Sequence, residues 1–270
     1  MAGIIFVALK LHKYGGEIDF SRLGIKGFVI IVGLVMLYGI VNPMLAFGWR
    51  NLLAFSEVQV TYTWAFKVFG ISQIAKYIPG NVFHFAGRQA LGMSTGVAAM
   101  PLLKSSVWGL GFVIGTGALF GVLTLPALIP AISADISILL FTALCIVGFF
   151  CLFRFSLKLA RAFCWYLFFH TATGFIFIGL LYLLSDSSVP LFFICGSYVL
   201  AWLAGFITPG APAGIGIREL ILLFLLKGMI IETDLLLAVL LGRFVTVGGD
   251  MLFFLIASIV PDQPQFNSTS

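Results

Sequence analysis

Five stretches of this chain, 27–49, 107–129, 136–153, 163–184 and 189–207, contain no Asp, Glu, Lys or Arg. Each approaches or exceeds the roughly 20 apolar residues that one helical membrane crossing needs. Two further runs are interrupted: 58–78 by Lys67 and Lys76, and 235–260 by Arg243 and Asp250. No water-soluble core absorbs so much apolar sequence. The chain is 61% hydrophobic and only 9% charged, against about 25% charged in a soluble domain.

The expected fold is therefore all-α, a polytopic transmembrane helix bundle. Its expected organisation is a cytoplasmic N-terminal interfacial segment at 1–26, a single transmembrane domain at 27–260 and a disordered tail at 261–270, which is polar and carries two prolines. An apolar stretch at 4–9 precedes Lys10, His12 and Lys13, the reverse of a secretory signal's charge order. The expected location is the cell (inner or plasma) membrane, crossed several times.

The net charge of +5 comes from basic residues scattered between apolar runs, which suits orientation by positive loops rather than nucleic-acid binding. Lys10, Lys13, Arg22 and Lys26 precede the first run, and Arg154, Lys158 and Arg161 cluster between two later ones. Both groups fall on the cytoplasmic side if 82–103 does not cross fully. The four cysteines show neither CxxC nor Cys/His metal spacing and read as buried small hydrophobes; Asp135 and His170 read as interface residues.

An internal echo singles out two segments: IPGNVFHFAGR at 78–88 and TPGAPAGIGIR at 208–218. Each has Pro-Gly followed by small or apolar residues, with an arginine nine positions after the proline. Pro removes a backbone donor and Gly loosens the chain, so a helix breaks at each site. Unsatisfied backbone groups cost several kcal/mol apiece in hydrocarbon. Such breaks persist where protein or a wet cavity serves them, as at transport sites between repeats. Pro-Gly pairs also cap helices in ordinary bundles; the repetition is what argues for a site. With 82–103 and 215–231 as broken or re-entrant segments, the expected count is about 7–8 spans.

A helix starting after such a break presents free N–H groups, and its arginine adds a cation able to hold phosphate by parallel hydrogen bonds. The expected guest is an anionic lipid head group. Candidate binding residues are Lys76, Pro79, Gly80, Asn81, His84 and Arg88 in the first segment. Those in and after the second are Pro209, Gly210, Gly214, Gly216, Arg218, Glu219, Arg243 and Asp250. The attraction of His84 is titration near neutral pH. Lys76 either snorkels or contacts phosphate, Glu219 has Arg243 and Lys227 as possible partners, and Asp250 suits a salt bridge or proton coupling. Arg243 and Asp250, seven apart, share one helical face.

No Ser/His/Asp arrangement, HExxH, P-loop or strand-linked GxGxxG occurs. Neither a catalytic role nor a cofactor or metal is called for, although an intramembrane enzyme using His84 is one alternative reading.

KYIPGNVFHFAGR, PGAPAGIGIREL and GRFVTVGGD together resemble the lysylphosphatidylglycerol synthase/flippase transmembrane family, from about 49 to 259. Pro79, Gly80 and Arg88 match its first motif, Gly214, Gly216 and Glu219 its second, and Arg243 an arginine on the following helix. The resemblance implies a bundle with re-entrant helices that moves or accommodates phospholipids. Family members that synthesise aminoacylated lipids carry a large soluble domain after the membrane part. Only a short tail follows 260 here, so aminoacyl transfer is not expected. Lys104 stands in a stretch where many relatives have an acid. PGNVFH resembles versions associated with cell-envelope polysaccharide assembly. That implies a polyprenyl-linked sugar as one cargo and a glycosyltransferase or other envelope-assembly enzyme as one partner. The expected function is thus flippase-like translocation of an anionic phospholipid or polyprenyl-phosphate-linked lipid. The alternative is an enzyme or accessory protein of envelope assembly.

Overall fold

A computed structural model describes residues 24–78, 82–185, 189–208, 214 and 216–261. Among these the chain is nearly all helical and has no strand. The expected interfacial segment and tail lie outside the described residues except at 24–26 and 261.

Five helical stretches are long and apolar enough to cross a membrane, which marks a membrane protein: Gly24–Phe55, Ala99–Leu128, Ala134–Phe155, Leu157–Leu184 and Glu232–Ile259. The first comprises α1 (Gly24–Val41) and α2 (Pro43–Phe55). Pro43 supplies no N–H to the preceding turn, so the helix is interrupted at Asn42. The Thr61 side chain caps α3 (Tyr62–Gln73), which tightens into a 3₁₀ turn at Ile74–Tyr77 just before the first Pro-Gly.

The expected segment 82–103 is two elements. Helix α4 (Phe83–Ser94) stops at a turn through Thr95 and Gly96, and α5 (Ala99–Leu119) begins there with Pro101 in its first turn. The long helix thus begins eight residues before the expected 107. A 3₁₀ stretch, Phe120–Thr124, and the short α6 (Leu125–Leu128) extend α5. Helices α7 (Ala134–Phe155) and α8 (Leu157–Leu184) follow, then α9 (Leu191–Ile207), α10 (Ile217–Leu225) and α11 (Glu232–Ile259). At 17 residues, α9 is about one to three turns shorter than α5, α7, α8 and α11.

Helix α8 is the axis, packing against α1, α2, α5, α7, α9 and α11. Its buried face carries Ala160, Ala162, Tyr166, Phe169 and Leu181. Helix α11 closes the other side against α1 and α3. The α1–α11 crossing is set by small residues: a Cβ on Gly249 would stand 2.9 Å from the Gly39 backbone nitrogen and 2.6 Å from Tyr38. Where hydrocarbon surrounds a bundle, such close approach is a main source of helix attraction.

Only Ser137 of α7 is buried; Leu139, Ile146, Phe150 and Phe155 are among the large apolar side chains it exposes. This outward apolar surface is what a bilayer, not water, accommodates. It also corrects the reading of the cysteines. Cys151 is exposed on α7 and Cys145 and Cys164 are half-buried, leaving Cys195 as the buried one, because an apolar thiol packs against lipid as readily as against protein. His170 is likewise not an interface residue. It is 1% exposed, with Nε2 3.2 Å from the Val113 carbonyl oxygen and the rings of Phe120, Phe169 and Trp202 around it.

Candidate functional site

Lys76, just before the first echoed segment, and Glu219, just after the second, both pair with residues of α11. Asp250, wholly buried, accepts a hydrogen bond at Oδ1 from Asn42 Nδ2 at 2.9 Å. Its Oδ2 accepts from the Tyr77 hydroxyl and pairs with Lys76 Nζ at 2.6 Å. Asn42 is available because it stands at the Pro43 break, while Lys76 and Tyr77 sit on the 3₁₀ turn. Of the alternatives for Asp250, the structure has the salt bridge, and its partner Lys76, expected to snorkel or contact phosphate, turns inward to it.

Seven residues earlier on α11, Arg243 donates from Nε to Glu219 Oε1 at 2.8 Å, and its second amino group lies 2.8 Å from the same oxygen. That amino group also donates to the Gly214 carbonyl at 2.9 Å. Glu219 Oε2 accepts the Gly216 backbone N–H at 2.6 Å, satisfying a donor at the start of α10. Glu219 therefore takes Arg243, not Lys227, as its partner. Gly214 and Gly216 have φ of +72° and +89°, a region a Cβ disfavours. A Cβ on Gly214 would also stand 2.6 Å from Gly205 Cα, so this stretch touches α9 backbone to backbone.

The two motif arginines contrast with these pairs. Arg88 on α4 is 4% exposed and Arg218 in the first turn of α10 is 8% exposed, and each leaves its Nε without a hydrogen-bond partner. Among the described residues neither meets a carboxylate; the ion pairs belong to Lys76 and Arg243. The Arg88 guanidinium lies 3.7 Å from the Phe69 ring centre and 5.2 Å from that of Trp49, and Arg218 lies 5.9 Å from that of Tyr198. Cation–π contacts contribute about 1–2 kcal/mol, less than the several kcal/mol that burying a bare charge costs.

Lys76, His84, Arg88, Arg218, Arg243 and Asp250 line one cavity of about 70 Å³, walled by Phe69, Val113, Tyr166, Trp202 and Phe206. One water needs about 10–15 Å³ by this measure, so the space suits a phosphate-sized group with a few waters and not a lipid's tails. His84 is buried with its ring 4.0 Å from that of Phe85 and its Nδ1 unpartnered.

Pro79, Gly80, Asn81, Pro209 and Gly210 lie outside the described residues. The sequence reading overlooked Asn42 and Tyr77. An asparagine inside an otherwise apolar span was the available signal for the first; the second is an ordinary interface aromatic by sequence. No family model matches the chain, and no curated protein does either.

Proposed function

We propose that this chain is a lipid translocator of the cell membrane, a multi-pass bundle that takes an anionic lipid head group into the cavity between α4 and α10 while the tails stay in the bilayer. The observation that carries the reading is the pair of buried guanidinium groups, Arg88 and Arg218, on the walls of one small cavity and, among the described residues, with no carboxylate partner. A buried unpaired charge is expensive, and hydrogen bonds from a cation to phosphate oxygens are among the strongest available to offset it.

In this reading α4 and α10, 12 and 9 residues long, are re-entrant. Both are too short to cross about 30 Å of hydrocarbon, and each follows a Pro-Gly. Helix α3 with its 3₁₀ turn, and α9, then complete the crossings toward seven. Arg243 and Asp250 act as posts on α11 that hold the two short segments through Glu219 and Lys76. The resemblance of the motifs to the lysylphosphatidylglycerol synthase/flippase transmembrane family favours the same cargo class.

Mass spectrometry of lipids retained by the purified protein tests the binding claim. Wild type is expected to carry anionic lipid, and Arg88→Gln and Arg218→Gln to lose it by about tenfold or more, the loss of one charge-assisted hydrogen bond. Equal retention by both variants overturns the proposal.

A further inference from the structure

The charges around the cavity define how much negative charge its guest carries. Lys76 is neutralised by Asp250 at 2.6 Å and Arg243 by Glu219 at 2.8 Å. Both carboxylates are committed beyond those pairs, Asp250 to Asn42 and Tyr77 and Glu219 to the Gly216 N–H. Neither is available to Arg88 or Arg218, so among the described residues these two positive charges have no paired carboxylate.

Resting on the translocator reading, we infer that the site is built for a head group ending in a dianionic phosphate, a phosphomonoester or a diphosphate, and selects it over a phosphodiester. A phosphodiester carries one negative charge and leaves one of the two guanidiniums buried and bare, which is costly. A phosphomonoester carries about −1.5 to −2 at pH 7 and exposes three terminal oxygens, enough to face both arginines. The arginines stand on different short helices, one from each echoed motif, so a single phosphate reaching both is held from two sides. Phe69, Val113 and Phe206 on the walls exclude some of the water that weakens such pairs.

The test is a binding titration of the full chain in phosphatidylcholine nanodiscs with dioleoyl phosphatidic acid, dioleoyl phosphatidylglycerol and free glycerol 3-phosphate. Phosphatidic acid is expected to bind about tenfold or more tightly than phosphatidylglycerol, which has the same tails and one charge less. Arg88→Gln and Arg218→Gln are each expected to abolish that preference, while Arg88→Lys, which keeps the charge, retains part of it. Equal affinity for the two lipids, lost in both Gln variants, overturns the dianion selectivity and leaves the translocator reading standing. Lipid binding that neither Gln variant changes overturns both. Glycerol 3-phosphate binding as tightly as phosphatidic acid upholds the dianionic site and contradicts a lipid as its guest.

Discussion

Asp250 shows how a charge is kept inside this bundle. Asn42, Tyr77 and Lys76 converge on it from the α1–α2 break and the 3₁₀ turn. Replacing it with alanine leaves Lys76 without a counter-charge, which costs about 3–5 kcal/mol when a buried pair is broken. Asp250→Ala should therefore markedly lower the thermal unfolding midpoint in detergent. The double variant Lys76→Met, Asp250→Asn should recover much of the loss, because no bare charge remains. An unchanged midpoint in Asp250→Ala would mean that the network does not hold. The charged candidates were legible in the sequence, since a charge within an apolar run stands out. Their pairing was only partly so: Arg243 and Lys227 were equally open to Glu219, and only the fold puts Arg243 within 2.8 Å. The echo singled out Arg88 and Arg218, but only the fold shows both buried and, among the described residues, without a carboxylate partner.

Between elements, the crossing of α1 and α11 sets where Asn42 meets Asp250. Gly249→Ala puts a methyl 2.6 Å from Tyr38 and forces the helices apart, a strain of about 1–3 kcal/mol. It should lower both the unfolding midpoint and anionic-lipid binding. Gly111→Ala, on α5 with no atom within 4 Å of the added methyl, should do neither; equal behaviour of the two would remove the crossing from the account. Long charge-free runs announced four of the five long helices, and the interrupted run 235–260 announced α11, because apolar length is what a bilayer reads. The α4–α5 boundary was misplaced at 103–107, although Gly96 and Pro101 were visible, since hydropathy continues across a break that turn geometry makes. The inward-facing position of His170 was hidden for a similar reason: a polar residue in an apolar span has the same sequence signature at an interface and in a core.

At the scale of the whole molecule, large apolar side chains face outward around an interior with ionic ties and a small cavity whose described lining carries more positive than negative charge. The central α8 packs against most of the long helices, and α11 makes one ion pair to Lys76 on the 3₁₀ turn and one to Glu219 on α10. The central claim is that this charge imbalance receives an anionic head group and carries it across the membrane. Its most direct test is transfer between leaflets of phosphatidic acid and phosphatidylglycerol, each with a fluorophore on an acyl chain, in vesicles reconstituted with the purified protein. Wild type should move at least one of them about tenfold faster than protein-free vesicles, and Arg88→Gln and Arg218→Gln should return that rate to background while keeping the wild-type unfolding midpoint. Transfer of both lipids at the protein-free rate, or equally fast transfer by the arginine variants, would contradict the account.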